Sequence, residues 1–233
     1  MAELVQAGAV GFSDDGAPIS SPEIMRRALE YSSMYGVPVI QHAEESSMTH
    51  DGCMNEGATA TRLGMQGIPP IAEELMIARD IILLRYTPKA RYHVAHISTA
   101  GAVARIRSAR KEGLQVTCEV SPHHFTLTEE AVRSFSTNTK MNPPLRSRED
   151  VEAMKEALRD GTIDAIATDH APHSYDEKEV EFLQAPFGIV GLETAVGLAF
   201  TSLVMPEILS VMSLIEKFSS NPRRILHLPE LRV

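Results

Sequence analysis

The sequence lacks several features that would assign it to common classes of protein. It contains only two cysteines, Cys53 and Cys118, which lie far apart and form no Cys-x-x-Cys pair. Neither a disulfide framework nor a cysteine-based zinc knuckle is therefore indicated, and a reducing, cytoplasmic setting is expected. Residues 1–8 carry neither a basic segment nor a long apolar one, so no signal peptide is expected.

Long apolar runs and an excess of basic charge are also missing. The most apolar segment, residues 189–205, contains Glu193 and is too short and interrupted to span a bilayer, so we expect a packed helix there. The 22 basic residues are outnumbered by 31 acidic ones, and no basic cluster is present that could follow a phosphate backbone. Nucleic acid and membranes are therefore not expected partners.

What the sequence does contain is a repeated design, in which an apolar strand ends in residue types that bind metal ions. A single histidine in such a place is more often a packed core residue than a ligand. Parallel strands that alternate with helices, however, bring their C-terminal ends to one face, where the ligands can converge. Four strand ends of this design predict a divalent-metal hydrolase site, with the fourth residue as the catalytic carboxylate: Asp15, His42, His96 and Asp169.

Apolar periodicity and capping residues predict five strands that alternate with helices, which indicates an α/β fold. The strands are expected over residues 9–13, 37–42, 92–97, 115–120 and 163–168, and the main helices over residues 22–35, 72–84, 99–111 and 147–159. Residues 44–70 lose periodicity and carry several glycines and prolines, so we expect a long loop that covers the mouth of the site. The length of 233 residues suits one large domain, near the lower edge for a complete eight-stranded barrel of roughly 250 residues.

The other histidines near the strand ends have different expected roles. His93 precedes His96 by three residues and is expected on the opposite side of the strand, where it packs. His170 follows Asp169 directly and is expected to point away from the site as a structural residue. For the pair His123-His124, hydrogen bonding behind the site and a structural turn are both open.

Seven motifs, in this order, resemble the amidohydrolase superfamily and, within it, the multifunctional-complex (type I) class of dihydroorotase. They are the segment 12–16, the strand ends at His42 and His96 counted as one motif with the segment 54–57 between them, and the segments 121–125, 140–146, 167–173 and 187–189. The resemblance covers nearly the whole chain. It implies that residues 1–233 form a partial TIM-type (β/α)8 barrel, about strands 4 to 8, without the flanking β-domain of the family.

The same resemblance implies a metal-dependent reaction that interconverts N-carbamoyl-L-aspartate and dihydroorotate in pyrimidine synthesis. By similarity, Asp15 bridges two metal ions, His42 and His96 bind the second ion, and Asp169 binds the first and acts as general acid and base. Zinc is the expected metal, with one or two ions in a complete site. The residues expected to hold the substrate are Asn142, His173, Phe187 and Gly188.

Two other functions remain open from the sequence. One is a cyclic amidase of the hydantoinase or allantoinase kind, against which Asn142, in front of two prolines, is the main argument. The other is a non-catalytic scaffold for aspartate carbamoyltransferase, which would have no reason to keep all four predicted metal ligands together. A homodimer, or a complex with aspartate carbamoyltransferase, is the expected form of assembly.

The sequence departs from the family pattern because it contains no His-x-His pair, which completes the first metal site in the family. We therefore expect about three barrel strands, and the remaining ligands, to lie outside this chain. The 233-residue chain made alone is expected to be poorly soluble or self-associating, since its outer strands would have free edges. It is also expected to bind about one zinc ion weakly and to show no turnover.

Overall fold

A computed structural model describes residues 1–230 of the chain. Its strands are β1 (Phe12–Ser13), β2 (Pro38–Gln41), β3 (Met54–Asn55), β4 (Gly67–Ile68), β5 (Arg91–Val94), β6 (Val116–Val120) and β7 (Ala165–Ile166). Its α-helices are α1 (Ala2–Gln6), α2 (Pro22–Ser33), α3 (Ala58–Leu63), α4 (Pro70–Arg85), α5 (Ala100–Lys111), α6 (Pro122–Thr126), α7 (Arg148–Arg159), α8 (Tyr175–Lys178), α9 (Ala195–Ala199), α10 (Val211–Phe218) and α11 (Ser220–Ile225).

Five strands form one parallel sheet in the order β1-β2-β5-β6-β7. These are the five predicted strands, in the predicted order, although each strand is shorter than the residue range predicted for it. The helices between consecutive strands pack against their neighbours, α2 against α4, α4 against α5 and α5 against α7. The prediction of an α/β fold with the arrangement of a partial TIM-type barrel is confirmed.

The main core lies between the sheet and its helices. Tyr92 and Val94 of β5 point into it, where they meet Met25 of α2 and Ile77 of α4. The intervening His93 lies on the other face of β5 because side chains alternate along a strand. Its Nδ1 lies 2.8 Å from the Thr117 hydroxyl. The prediction that His93 is a packing residue is confirmed.

The main predicted helices are present, and local capping explains where three of them begin. The Ser21 hydroxyl accepts a hydrogen bond from the backbone N–H of Ile24, and Pro22 occupies the first turn of α2. Thr99 caps α5 in the same way. Ser147 and Asp150 form a reciprocal capping box at the start of α7. Such caps satisfy N–H groups that the first helical turn leaves without partners.

The prediction for residues 44–70 is wrong in part. The segment contains β3, α3 and β4, with β3 and β4 paired in a small parallel sheet of their own. Cys53 and Met54 pack there against Ala60, Val132 and Phe182 in a second apolar cluster. None of residues 45–70 lines the site cavity described below. The segment therefore lies beside the site, because its own apolar residues give it a separate place to pack.

The prediction of one packed helix over residues 189–205 is wrong in part, because only residues 195–204 are helical, with Ala199 and Leu203 in the main core. The helix α9 covers only five residues and continues into a π-helical turn over Phe200–Val204. Val190, Leu192 and Val196 are more than 60% exposed, at 63%, 61% and 62%. Apolar composition alone cannot say which of these side chains have a neighbour to pack against. None of the helices in residues 1–230 has the length and apolarity that crossing a membrane requires.

A buried polar network joins the small sheet to the main one. Arg146 is buried and donates hydrogen bonds to the Ser98 hydroxyl, the Asn55 side chain and the Ile68 carbonyl. The buried carboxylate of Glu73 accepts hydrogen bonds from the backbone N–H and hydroxyl of Ser98 and lies 3.8 Å from the Arg146 guanidinium. The network thereby fixes the segment after β5 against the segment that carries Asn142.

Replacing Arg146 with alanine is expected to destabilise the protein by about 3–5 kcal/mol, since the buried carboxylate of Glu73 loses its positively charged partner. Chemical unfolding of the variant and the unchanged protein measures this difference. The control is Arg148→Ala, because Arg148 begins α7 at the surface. A loss for Arg146→Ala no larger than that of the control would show that the network contributes little to stability.

Candidate active site

Three predicted metal ligands meet at the C-terminal ends of β1, β2 and β5. The Asp15 Oδ1 atom lies 3.2 Å from His96 Nε2 and 3.5 Å from His42 Nδ1. The two imidazole nitrogens are 3.2 Å apart. Both histidines are buried, whereas Asp15 is about half exposed, so the cluster faces solvent on the side of the carboxylate.

The geometry of these three atoms fits a metal ion. Two ligand atoms bound to zinc at roughly 2.1 Å in tetrahedral geometry lie about 3.4 Å apart. The three separations of 3.2, 3.2 and 3.5 Å therefore match three edges of such a tetrahedron. Two imidazoles and one carboxylate are also a ligand set that zinc accepts, and three protein ligands are the number found in catalytic sites. The residues present can thus hold a divalent cation.

The electrostatics of the cluster are those of a site prepared for positive charge. Burial disfavours the charged form of His42, but hydrogen bonds to Asp15 and Glu44 outweigh it and raise the pKa of His42 to about 9. The hydrogen bonds of Asp15 with His42 and then His96 hold the pKa of that carboxyl well below its usual range. Asp15 is therefore ionised at neutral pH, and His42 carries a proton that a metal ion would have to displace.

Asp169, the predicted catalytic residue, lies just beyond the end of β7 and lines the same cavity as Asp15 and His42. It stands outside the group of three mutually close ligand atoms. Among the described residues its buried Oδ2 has no hydrogen-bond partner, and burial raises the pKa of its carboxyl. Asp169 has φ 47° and His96 has φ 29°, conformations that cost energy for non-glycine residues and that cluster at functional sites.

The cavity measures about 290 Å³, and it is lined in part by three predicted substrate-binding residues. Asn142, Phe187 and Gly188 lie along its wall. Gly188 has φ 148°, and a Cβ there would come within 2.4 Å of the Ala171 carbonyl oxygen, so only glycine fits. His173 is placed differently: it does not line the cavity, its side chain is partly exposed, and its Nε2 lies 2.9 Å from the Phe187 carbonyl.

Other histidines of the sequence lie close behind the site. His123 and His124 lie in the short helix α6 and not in a turn. The Nε2 atom of His124 is 2.9 Å from the carbonyl of Pro143, the residue after Asn142. His123 is buried beside it, and burial lowers the pKa of His123 to about 3. The Nδ1 atom of His170 accepts hydrogen bonds from two backbone N–H groups at residues 191 and 192, which confirms its structural role.

Two acidic residues without a predicted role, Asp14 and Glu44, support the cluster. Asp14 accepts hydrogen bonds from the backbone N–H groups of His42 and Ile19, and thereby ties the end of β1 to the end of β2. Glu44 lies against both His42 and Asn142. The signal available in the sequence was their spacing, since Asp14 precedes a predicted ligand by one position and Glu44 follows one by two.

Comparison with known sequences bears on what this arrangement does. A model of the dihydro-orotase-like family matches residues 1–102. The dihydroorotase of Pelotomaculum thermopropionicum is 54% identical over 230 residues, which cover 99% of this chain and 54% of that protein. The dihydroorotase of Acetivibrio thermocellus is 55% identical over 224 residues, which cover 96% of this chain and 52% of that protein. The chain is thus similar in sequence, over nearly its whole length, to proteins named dihydroorotase. It spans about half the length of these curated relatives.

Two solved structures share the fold of this chain. The L-hydantoinase (dihydropyrimidinase) of Arthrobacter aurescens superposes with a TM-score of 0.82 at 26% identity, covering 97% of this chain and 52% of that one. The dihydropyrimidinase of Brevibacillus agri NCHU1002 gives a TM-score of 0.81 at 21% identity, covering 96% of this chain and 51% of that one. The second likeness shows the fold alone. The sheet and helices described above are those of an amidohydrolase barrel.

Proposed function

We propose that this chain supplies the metal-binding half of a dihydroorotase active site, which interconverts N-carbamoyl-L-aspartate and dihydroorotate. The observation that carries the proposal is the meeting of Asp15, His42 and His96 at distances that suit one divalent cation. Relatives named dihydroorotase at 54% and 55% identity support the choice of substrate. Asn142, at the wall of the cavity, supports it further.

In this proposal Asp15, His42 and His96 hold one zinc ion, and Asp15 with Asp169 contributes to a second. A divalent cation bound there supplies positive charge that polarises an amide carbonyl and lowers the pKa of nearby water. Asp169 accepts a proton from the water that attacks the ring carbonyl carbon, and it returns this proton to the ring nitrogen as the amide C–N bond breaks. Asn142, Phe187 and Gly188 hold the substrate, and His173 supports the wall that contains them.

The test is an activity measurement on the whole protein that contains this chain. Loss of dihydroorotate, followed by its ultraviolet absorbance with zinc present, is expected to proceed at a rate typical of enzymes. Hydantoins with a substituent at position 5 are expected to remain unchanged. Turnover of hydantoins in preference to dihydroorotate would overturn the choice of substrate. Turnover of neither, with zinc bound, would favour a non-catalytic scaffold.

Zinc affinity at this site is expected to fall as the pH falls. Because the pKa of His42 is raised to about 9, its imidazole is protonated below that pH and must lose a proton before it can bind zinc. One proton displaced per ion corresponds to roughly a tenfold loss of affinity per pH unit. Competition with a chelator between pH 6 and pH 8.5 measures the slope. An affinity that does not change over this interval would show that His42 is not a ligand.

The assembly and its location belong to the same proposal. A dihydroorotase of this kind is expected to act in the cytoplasm as a homodimer or in a complex with aspartate carbamoyltransferase. Both cysteines are free and buried, as expected for a reducing compartment. Light scattering of the whole protein, alone and mixed with aspartate carbamoyltransferase, distinguishes the two assemblies.

A further inference from the structure

Glu44 occupies a position between a metal ligand and a substrate-binding residue. Its side chain is only 15% exposed. The Oε2 atom accepts a hydrogen bond of 2.6 Å from Asn142 Nδ2 and lies 3.4 Å from His42 Nε2. The Oε1 atom accepts a hydrogen bond of 2.7 Å from the Thr49 hydroxyl. The Glu44 carboxylate therefore contacts both His42 and Asn142, and the Thr49 hydroxyl holds it in place.

The contact with His42 bears on which imidazole nitrogen can bind a metal ion. An ionised carboxylate accepts hydrogen bonds and cannot donate them, so Nε2, the nitrogen that faces Glu44, carries a proton. Asp15 faces Nδ1 in the same way, and Nδ1 is the nitrogen that would give up its proton to a metal ion held by Asp15 and His96. Nδ1 is the atom that lies 3.5 Å from Asp15 and 3.2 Å from His96. A carboxylate behind a ligating histidine fixes its tautomer and raises its basicity.

The contact with Asn142 determines which end of the amide faces the cavity. An oxygen of Asn142 turned toward Glu44 would place two acceptors 2.6 Å apart, so the NH₂ group must face the carboxylate. The opposite atom, Oδ1, is buried and has no hydrogen-bond partner among the described residues. A buried acceptor without a partner costs free energy unless a bound molecule donates to it. Asn142 thus presents an acceptor to the cavity it lines.

We propose that Glu44 is a positioning residue that sets the Nε2–H tautomer of His42 and turns the Asn142 carbonyl toward the substrate. The group it selects is an N–H donor, such as the ring N–H of a cyclic amide or ureide. This selection of ligand rests on the function proposed above. The tautomer and the amide orientation do not depend on it, because they follow from contacts within the chain.

The experiment compares Glu44→Ala with Glu44→Gln in the whole protein. Alanine removes the acceptor, whereas glutamine can keep a carbonyl toward His42 and Asn142 and donate its NH₂ group to Thr49, with loss of the charge. Glu45→Ala is the matched control, because Glu45 is the next carboxylate along the chain and its side chain bonds only within its own turn, to Ser47. Nitrogen-15 NMR of metal-free protein, at a pH where the imidazole is neutral, reports the His42 tautomer and the Asn142 side-chain N–H signals.

In the unchanged protein, the control and Glu44→Gln, we expect a large share of the His42 tautomer protonated on Nε2, and an Asn142 N–H protected from solvent exchange. In Glu44→Ala, we expect His42 to shift toward the tautomer protonated on Nδ1, which faces Asp15, and the protection of the Asn142 N–H to be lost. Zinc affinity, measured by chelator competition, is expected to fall about 10–100-fold in Glu44→Ala, as for other residues that support a metal ligand. The zinc affinity of Glu44→Gln is expected to lie between that of the Glu45→Ala control and that of Glu44→Ala.

Unchanged tautomer, amide protection and zinc affinity in Glu44→Ala would overturn the proposal. If that variant fails to fold, as judged by circular dichroism, Glu44→Gln decides: an affinity equal to that of the control overturns the proposal, and an intermediate one supports it. Failure of the proposed function is seen separately, as absence of dihydroorotate turnover by the unchanged protein. In that case the NMR readouts still decide the role of Glu44.

Discussion

Replacing Asp169 with asparagine in the whole protein is expected to lower kcat for dihydroorotate about 10²–10⁴-fold, the range that a general acid and base contributes. Asparagine has nearly the same shape but cannot take up and return a proton. Asp169 lies outside the close group of Asp15, His42 and His96, so the ion held by those three side chains should remain. The expected signature is loss of turnover with at least one zinc ion still bound, measured by initial rates and by metal analysis.

Asp176→Asn is the matched control, since Asp176 is an exposed carboxylate in α8 that does not line the cavity. Its kcat should remain near that of the unchanged protein. A kcat for Asp169→Asn within a few fold of the control would assign the proton transfer to another group. Loss of all zinc from Asp169→Asn would instead indicate that the carboxylate is needed by both ions.

The second large effect is expected for Asp15→Asn, because Asp15 contacts both histidines of the cluster. The substitution removes the negative charge that holds two imidazoles and a cation together. Zinc affinity should fall by more than the roughly 10–100-fold typical of residues that only support a ligand. Turnover should fall with it. Chelator competition and initial rates, measured on the same preparation, test the two expectations together.

Asp51→Asn serves as the control for Asp15→Asn, since Asp51 is exposed and its φ of 57° is one that asparagine tolerates. Its zinc affinity is expected to be unchanged. Zinc bound by Asp15→Asn as tightly as by the control would show that the Asp15 carboxylate is not a ligand.

The order of strands and helices could be predicted from the sequence because local signals agree with the tertiary structure. Apolar runs mark the five strands, and Ser21, Thr99 and Ser147 mark helix starts through caps that act within one turn. Residues 44–70 and 189–205 could not be predicted in this way. The first builds a small sheet through contacts between residues distant in the chain, and the second has apolar side chains whose burial depends on neighbours that periodicity does not specify.

In the candidate site, too, the residues at strand ends could be predicted, and those whose roles depend on long-range contacts could not. Asp15, His42 and His96 were found because parallel strand ends must meet at one edge of a sheet, and the resemblance to dihydroorotases points to the same residues. Glu44 was not found, because its role depends on Asn142, which lies 98 positions later in the chain. The same holds for Arg146, whose partners come from three separate segments. Contacts of this kind have no periodic signal.

The most direct test of the central claim is anomalous diffraction at the zinc absorption edge from crystals of the whole protein loaded with zinc. The account predicts a zinc peak roughly 2.0–2.2 Å from Asp15 Oδ1, His42 Nδ1 and His96 Nε2. It also predicts that the Nε2 atom of His42 faces Glu44 in the same map. A protein that binds zinc with its peak away from these three atoms, or that binds none, would contradict the account.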